Sequence, residues 1–190
     1  MDRGEGVDVV FLDLAKAFDK VPHQRLLAKV RAHGVDGKVA AWIRAWLLGR
    51  KRRVCVEGAA SLWRLVLSGV PQGSVLGPLL LIINDLELQI INTVLKFADD
   101  TTVFGTVIDE DDRAVLQEDL QKLSEWADSW QMEFNVEKCK VMHFGSRNNK
   151  FNYCTRGKQL EVVSVERDLG VIIASNLKVA DHCQQAYATA

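Results

Sequence analysis

Two apolar segments of this chain each run into aspartate, and this feature restricts the fold more than any other. Val7–Leu14 is typical of a buried strand and contains Asp13, and Val94–Phe104 is typical of strand, turn and strand, with Asp99 and Asp100 at the turn. A carboxylate at the edge of an apolar core costs free energy unless something compensates it. Aspartate is also a favoured turn residue, so an ordinary solvated turn is the alternative interpretation.

Strand ends that lie side by side would place Asp13, Asp99 and Asp100 within a few ångströms of one another. Their mutual repulsion would raise a carboxyl pKa or recruit a cation. Oxygen ligands without a nearby imidazole or thiolate favour Mg²⁺ or Mn²⁺ over zinc. Two such ions about 4 Å apart would activate an attacking oxygen and stabilise a leaving phosphate oxygen. The aspartates therefore predict a two-ion site for phosphoryl transfer.

Four cysteines are spread along the chain: Cys55, Cys139, Cys154 and Cys183. They form no CxxC pair and have no histidine at metal-ligand spacing, so we expect no zinc site and four reduced, mostly buried thiols. The charged, Gly-rich segment Met1–Val7 is not a signal peptide, and the longest apolar run, Val75–Ile83, is shorter than the ~20 residues that span a bilayer. We therefore expect an intracellular chain, in the nucleus or cytoplasm, without secretion or membrane binding.

The remaining pattern predicts helices and further strands. One helix is expected from Pro22 to Gly34, and a second is capped by Asp36 and ends at Gly49. The later predicted elements are strands at Arg53–Glu57 and Trp63–Ser68 joined by a turn at Gly58, a buried helix from Gly77 to about Leu88, a long helix from Asp109, and strands at Lys140–Phe144, Leu160–Val163 and Leu169–Ile173. This order predicts an α+β fold with helices packed on one face of an antiparallel sheet. The polar loop 145–149 separates a predicted core, residues 1–145, from a smaller part, residues 146–190.

The charge of the chain is unevenly distributed. Residues 1–64 contain 13 Lys and Arg against 7 Asp and Glu, whereas residues 65–190 contain 11 against 18. A bound polyanion is therefore expected to lie against the first third of the chain. The densest basic cluster, Arg50, Lys51, Arg52 and Arg53, is interpreted as a phosphate contact or weak nuclear signal, with a solvated turn as the alternative. The five tryptophans are interpreted as core anchors rather than base-stacking surfaces.

Three segments in this order carry a family resemblance. Residues 11–19 read FLDLAKAFD, residues 68–78 read SGVPQGSVLGP, and residues 97–100 read FADD. They resemble motifs of the reverse transcriptases of non-long-terminal-repeat (LINE-type, jockey-like) retrotransposons. Residues 135–139 and 168–171 are similar to two later palm motifs of this family. The resemblance covers nearly the whole chain and implies a polymerase-type palm, with fingers and thumb largely absent.

The resemblance implies roles for residues near the two strand ends. Asp13 and Asp99 would be the principal Mg²⁺ ligands, with the carbonyl of Leu14 and the carboxylate of Asp100 assisting. Phe18 would lie under the sugar of the incoming nucleotide and reject a ribonucleotide by colliding with its 2′-hydroxyl.

The resemblance also implies contacts to substrate. Gln72 and Gly73 would contact the incoming nucleotide and the template, where a glycine lets the backbone approach closely. Lys138 would lie near the leaving pyrophosphate, and the hairpin of Leu169 and Gly170 would hold the primer end. The implied reaction is attack of a DNA primer 3′-hydroxyl on a deoxynucleoside triphosphate, dNTP, paired with an RNA template, assisted by two Mg²⁺ (or Mn²⁺) ions.

One departure from the family pattern supports a second hypothesis. The run from Gly77 to Asp85 is about two residues shorter than the usual one, which in a helix rotates the following residues by ~200°. The alternative is therefore a catalytically inactive remnant, with surviving metal ligands and weak or absent polymerase activity, that at most binds nucleic acid. A third hypothesis is another two-metal enzyme, such as a nuclease or nucleotidyl cyclase, although neither needs the loop at residues 68–78 or Phe18.

Overall fold

The computed structural model describes residues 5–71, 85–97 and 100–188 of the 190-residue chain. The chain divides into two compact units. The sheet unit comprises residues 1–14, 87–125 and 134–190, and the helical unit comprises residues 15–86 and 126–133. The predicted division between residues 145 and 146 stays a prediction.

Helices and strands follow one another along the described residues. In chain order they are β1 (Val7–Asp13), α1 (Ala17–Lys20), α2 (His23–Ala32), α3 (Gly37–Leu47), β2 (Lys51–Arg52), β3 (Cys55–Val56), β4 (Ala59–Ala60), β5 (Arg64–Leu65), β6 (Thr93–Phe97), β7 (Asp100–Thr106), α4 (Glu110–Ser129), β8 (Lys140–Phe144), β9 (Cys154–Thr155), β10 (Lys158–Gln159), β11 (Glu161–Val162), β12 (Val165–Asp168), β13 (Val171–Ala174) and α5 (Ala180–Ala188).

The sheet unit is built around β1, the middle strand of a five-stranded sheet of order β11-β8-β1-β7-β6. β1 pairs antiparallel with β7, from Val7 opposite Thr106 to Asp13 opposite Asp100, and antiparallel with β8 on its other side. β6 pairs antiparallel with β7, whereas β11 pairs parallel with β8. The predicted α+β class, with an antiparallel sheet and helices, is confirmed.

Alternation along β1 gives the sheet a buried face and an open face. Val10 and Leu12 are buried, whereas Val9, Phe11 and Asp13, which alternate with them, are partly exposed. α4 contributes leucines at helical spacing to the core of this unit, namely Leu116, Leu120 and Leu123, all of them buried. The predicted long amphipathic helix is therefore confirmed. Thr101 on β7 is buried, and its hydroxyl has no hydrogen-bond partner within the described residues.

A buried aspartate lies near the start of β1. The carboxylate of Asp8 is fully buried and accepts hydrogen bonds from His143 Nδ1 (2.6 Å), the Tyr153 hydroxyl (2.6 Å) and Asn148 Nδ2 (2.7 Å). Burial by itself raises the pKa of Asp8, but these three donors outweigh burial and hold the pKa below its ordinary value. Burial and the neighbouring Asp8 carboxylate raise the pKa of Tyr153. The cluster is therefore a charged, hydrogen-bonded anchor within the core of the sheet unit.

The helical unit begins with three helices. α2 buries Leu26, Leu27 and Val30 on one side. The predicted cap of α3 is confirmed, because Asp36 Oδ1 accepts a hydrogen bond from the Gly37 amide at 2.8 Å. Only the last residues of the predicted helix after Gly77 fall within the described residues, and residues 85–89 form turns rather than helix. The comparison of helix length at residues 77–84 lies outside the described residues.

Residues 51–65 differ from the predicted pair of long strands. β3 pairs with β4 across Glu57 and Gly58, whose φ angles of 48° and 83° suit a two-residue hairpin turn. β2 pairs with β5, with Lys51 opposite Leu65. The predicted strands Arg53–Glu57 and Trp63–Ser68 are therefore wrong in extent and partner, because the tight turn closes β3 onto the residues that follow it. Every residue from 51 to 65 is exposed.

Two predictions about buried residues are also wrong. Trp42 and Trp63 are 64% and 58% exposed, so they are not core anchors. All four cysteines are free thiols, but Cys139 is the buried one and the others are exposed. Both errors arise because α3, the small hairpins and the last helix, α5, leave much of their surface uncovered, which composition alone does not reveal.

The predicted strand at Leu169–Ile173 corresponds to β13, which forms a hairpin with β12. Leu169 and Gly170 form its turn, with φ angles of 46° and 82°, and β13 starts at Val171. The helix α5 was not predicted. Across the described ranges, no helix has the length and apolar character that crossing a membrane requires.

The backbone around Gly69, at the start of the motif at residues 68–78, forms hydrogen bonds with the end of the motif at residues 11–19 and the residues just after it. Its amide donates to the Val21 carbonyl at 2.9 Å, and the Val70 amide donates to the Phe18 carbonyl at 2.7 Å. The Gly69 carbonyl in turn accepts from Arg50 Nη2 at 2.6 Å. A Cβ atom at Gly69 would lie 2.7 Å from the carbonyl oxygens of Phe18 and Asp19, so this close approach requires glycine.

We predict that Gly69→Ala lowers the free energy of unfolding by about 3 kcal/mol or more, because steric overlap with backbone is added to the strain of a positive φ. Gly58→Ala is the matched control, since Gly58 has a φ of +83° with nothing within 4 Å of the added Cβ. The control should cost about 1–2 kcal/mol from strain alone. Urea unfolding of both variants measures the difference, and equal losses would contradict the packing argument.

We also predict that Asp8→Ala costs about 3 kcal/mol or more at pH 7, because buried donors lose their acceptor. The folded pKa of Asp8 lies below its unfolded value, so the contribution is complete above about pH 4 and disappears as the pH falls through the folded pKa. Urea unfolding from pH 7 to pH 2 should show the difference between the two chains narrowing as the pH falls. Tyr153→Phe, which removes one donor, should lose about 1 kcal/mol. A difference that stays constant down to pH 2 would refute the assignment.

Candidate active site

Two predicted metal ligands meet at one end of the sheet. Asp13 is the last residue of β1, Asp100 is the first residue of β7, and the two are direct partners in the antiparallel register. Residues opposite each other in such a pair project to the same face, with Cβ atoms ~4.5–5.5 Å apart. Because side chains alternate along β1, Asp13 lies on the open face of the sheet, opposite in direction to the buried Leu12. Asp99 lies outside the described residues.

Both aspartates line a cavity of about 340 Å³ within the sheet unit. Its charged lining contains more carboxylates than cations: the acidic residues are Asp13, Asp100, Glu137, Glu161, Glu166 and Asp168, and the basic ones are Lys138, Lys140 and Arg167. Lys140 pairs with Glu166 at 3.0 Å, and Lys158 pairs with Glu137. The excess of carboxylates gives the cavity a negative potential, which attracts cations.

Lys138 carries a positive charge directly against the metal-ligand candidate. Its Nζ lies 2.8 Å from Asp13 Oδ2. The backbone holds this arrangement, because the Asn135 amide donates to the Asp13 carbonyl at 2.8 Å and the Lys138 amide donates to the Asn135 carbonyl at 2.9 Å. The Lys138 side chain is 67% exposed, so solvent screens the ion pair and the ammonium group is able to exchange partners.

Neighbouring groups limit what else the site can do. Leu14, whose carbonyl was predicted to assist metal binding, is buried and forms a bridge with Phe134. Burial raises the pKa of the Cys139 thiol. A thiol that stays protonated is a poor nucleophile, so the chemistry of this cavity depends on oxygen and ammonium groups.

The donor types fit Mg²⁺ or Mn²⁺ better than zinc, since the described lining of the cavity supplies carboxylates and contains neither histidine nor cysteine. Within the residues that the structure describes, no three His, Cys, Asp or Glu side chains gather as a metal site. Asp13 and Asp100 supply two carboxylates, and the predicted third, Asp99, directly precedes Asp100 in the sequence. Convergence of all three stays a prediction.

The other predicted contact residues divide between the two units and the undescribed segment. Phe18, on α1 of the helical unit, is half-buried, and its carbonyl is held by the Val70 amide. Leu169 and Gly170 form the turn of the β12–β13 hairpin, which belongs to the sheet unit. Gln72 and Gly73 lie outside the described residues.

Within the predicted basic cluster, Arg50 has a structural role. Arg50 donates from Nη2 to the Gly69 carbonyl at 2.6 Å and from Nε to the Leu47 carbonyl at 3.2 Å. Lys51, Arg52 and Arg53 are exposed. Phosphate contact by the four basic residues stays a prediction. Arg50 also stabilises the helical unit through the two hydrogen bonds given above.

Sequence reasoning missed Glu166 and Asp168 as cavity residues. They lie two positions apart on β12, and such residues project to the same face of a strand. The available signal was therefore the presence of two acidic residues two positions apart, next to the turn of the predicted hairpin. The donors around Asp8 carried no comparable signal, because Asn148 and Tyr153 lie in irregular segments far from it in sequence.

An antiparallel sheet with helices, and with aspartates paired at one end of two adjacent strands, is consistent with a polymerase-type palm. The family profile "Reverse transcriptase (RNA-dependent DNA polymerase)" matches residues 3–171. The chain therefore belongs to the reverse transcriptase family, which confirms the resemblance seen in its motifs.

Curated relatives include retrotransposon polymerases. The RNA-directed DNA polymerase from mobile element jockey of Drosophila funebris is 29% identical over 96% of this chain and 21% of its own length. The probable RNA-directed DNA polymerase from transposon X-element of Drosophila melanogaster is 32% identical over 75% of this chain and 16% of its own length. The chain thus spans about a fifth or less of these relatives.

A solved structure shares the fold. Apo telomerase from Candida tropicalis, truncated from its C-terminal domain, superposes with a TM-score of 0.62 at 14% identity. The match covers 92% of this chain and 35% of that one. At this identity the likeness supports the palm architecture alone.

Proposed function

We propose that this chain is the palm of an RNA-directed DNA polymerase, which transfers a dNTP onto a primer 3′-hydroxyl by a two-metal mechanism. The observation that supports this most directly is the pairing of Asp13 with Asp100 at a cavity with excess negative charge. Membership of the reverse transcriptase family supports the same reaction. An RNA template, a DNA primer and a dNTP are the proposed partners.

The carboxylates of Asp13, Asp99 and Asp100, with the carbonyl of Leu14, would hold two Mg²⁺ or Mn²⁺ ions. When bound, such ions lower the pKa of an attacking hydroxyl and offset charge on the leaving pyrophosphate. Lys138, now paired with Asp13, would donate hydrogen bonds to the leaving phosphate oxygens as their negative charge increases. The negative cavity therefore needs cations before it can accept a triphosphate.

Phe18 would select deoxynucleotides. The hydrogen bond from the Val70 amide to the Phe18 carbonyl fixes the backbone there, so the ring cannot retreat freely from a ribose 2′-hydroxyl. An intracellular location is part of the proposal, and the four free thiols are compatible with it.

Primer extension tests the proposal. The 190-residue chain, given an annealed RNA template and labelled DNA primer with dNTPs and Mg²⁺, should extend the primer. Asp13→Asn should reduce extension at least about a hundredfold, because it removes a negative charge that stabilises the transition state through bound cations. Asp36→Asn is the matched control, because asparagine also caps a helix and Asp36 lies outside the cavity.

Other results would favour the other hypotheses. A folded chain that binds Mn²⁺ but fails to extend the primer would support the inactive remnant. Shortening of the labelled primer, abolished by Asp13→Asn, would support a nuclease instead. Equal extension by Asp13→Asn and the unaltered chain would show that these carboxylates are not the reaction site.

Lys138→Gln separates metal binding from chemistry. Removing the ammonium group frees the Asp13 carboxylate from a competing cation, so Mn²⁺ affinity should increase about two- to fivefold, as expected for an exposed ion pair. Primer extension should become slower, because the leaving pyrophosphate loses a donor. Isothermal titration with Mn²⁺ and single-turnover extension measure the two effects. Weaker Mn²⁺ binding by Lys138→Gln would contradict the proposed competition.

A further inference from the structure

The helical unit carries a series of stacked aromatic and guanidinium groups, here called the ladder, which consists of the exposed Trp42, Arg53 and Trp63 and the partly buried Trp46 and Arg50. The rings of Trp42 and Trp46 stack with centroids 6.5 Å apart and planes 7° from parallel. The Arg50 guanidinium lies 5.5 Å from the Trp46 ring centroid, and that of Arg53 lies 4.7 Å from the Trp63 centroid. The ladder therefore has two stacks, one on α3 and one on the hairpin that follows it.

Backbone pairing links the two stacks. The Val66 amide donates to the Arg50 carbonyl at 2.8 Å, and the next residues pair as β2 and β5 up to Arg52 opposite Arg64. Arg53 directly follows Arg52, and Trp63 directly precedes Arg64, so the two residues lie next to this last pair on the two chain segments. The backbone pairing of β2 with β5 therefore fixes which ladder residues are neighbours, and their placement does not depend on flexible side chains alone.

This surface is unusually exposed for its composition. Trp42 is 64% and Trp63 58% exposed, and no side chain is buried between residues 51 and 65. Exposed large aromatic groups forgo the burial that normally stabilises them, and a contiguous set of them marks a binding surface. A two-stranded hairpin is also marginally stable on its own, so a bound partner would stabilise it.

The charge identifies the class of partner. Residues 37–68 contain seven Lys and Arg and one acidic residue, Glu57. Such a one-sided excess of cations attracts a polyanion. Flat aromatic faces between cations match a strand whose phosphates contact the cations and whose unpaired bases stack on the rings. In a duplex those base faces are already stacked on one another.

We propose that the ladder binds single-stranded nucleic acid, as a contact surface separate from the carboxylate site of the sheet unit. One base would stack on the exposed face of Trp42 and another at Trp63, with Lys51, Arg52 and Arg53 contacting phosphates. This binding needs neither divalent ions nor the polymerase reaction, so it stands or falls independently of the proposed activity.

Fluorescence anisotropy with a labelled 20-nucleotide oligo(U), and with a blunt duplex of equal length, tests the proposal in EDTA. We expect oligo(U) to bind more tightly than the duplex, with an affinity that decreases as salt increases. Trp63→Ala and Trp42→Ala should each weaken oligo(U) binding about tenfold, and Trp63→Phe should restore most of it because a ring remains for stacking. Arg53→Gln should weaken binding and lower the salt slope by about one.

Controls come from the sheet unit. Tyr187→Ala removes an aromatic ring that is 87% exposed, Arg147→Gln removes an exposed cation, and neither should alter binding. The assay contains EDTA and no dNTP, so its outcome does not depend on catalysis at the carboxylate site, which separates failure of the ladder from failure of the active site. Equal affinity for the duplex, or equal losses in the ladder variants and the controls, would overturn the proposal. Salt-independent self-association that Trp42→Ala abolishes would assign this surface to a second copy of the chain instead.

Discussion

The register of β1 against β7 is the constraint on which the rest of the sheet unit depends. It places Asp13 opposite Asp100 and sends both to the open face, while Val10 and Leu12 enter the core. A slip of one residue would exchange the two faces and bury the carboxylate of Asp13 among apolar groups. The buried hydrogen bonds to Asp8 oppose that slip, because moving β1 would separate this carboxylate from three donors at once. Stability at one end of the strand thus preserves geometry at the other.

The elements that the sequence predicted well are those with local signals. β1, β8 and α4 follow from apolar periodicity, and the start of α3 follows from Asp36 as a helix cap. The meeting of Asp13 and Asp100 followed from their positions at strand ends. The hairpins at residues 51–65 were mispredicted because the turn at Glu57 and Gly58, rather than strand propensity, decides the pairing. The partners of Asp8 depend on tertiary contacts that no periodicity records.

In the helical unit, a segment recognised as a functional motif also has a structural role. The residues after Ser68 were recognised as a family motif, yet the described part of that segment serves to hold α1 in place. Gly69 approaches the Phe18 backbone so closely that a side chain would not fit, and Arg50 satisfies its carbonyl. Arg50 was first interpreted as a phosphate contact. It therefore also holds the backbone of Gly69, which packs against Phe18, the residue proposed to select the sugar.

The position of β6 has a consequence for handling the chain. β6 ends the described sheet with one side unpaired, and Leu95 and Phe97 are 58% and 65% exposed. An open edge with apolar side chains is a template for intermolecular β-pairing, so concentrated solutions are prone to aggregation. Lys96 lies between these residues in sequence but on the other face of the strand, where it pairs with Glu87 at 3.0 Å, so its charge does not interrupt the apolar side of this edge.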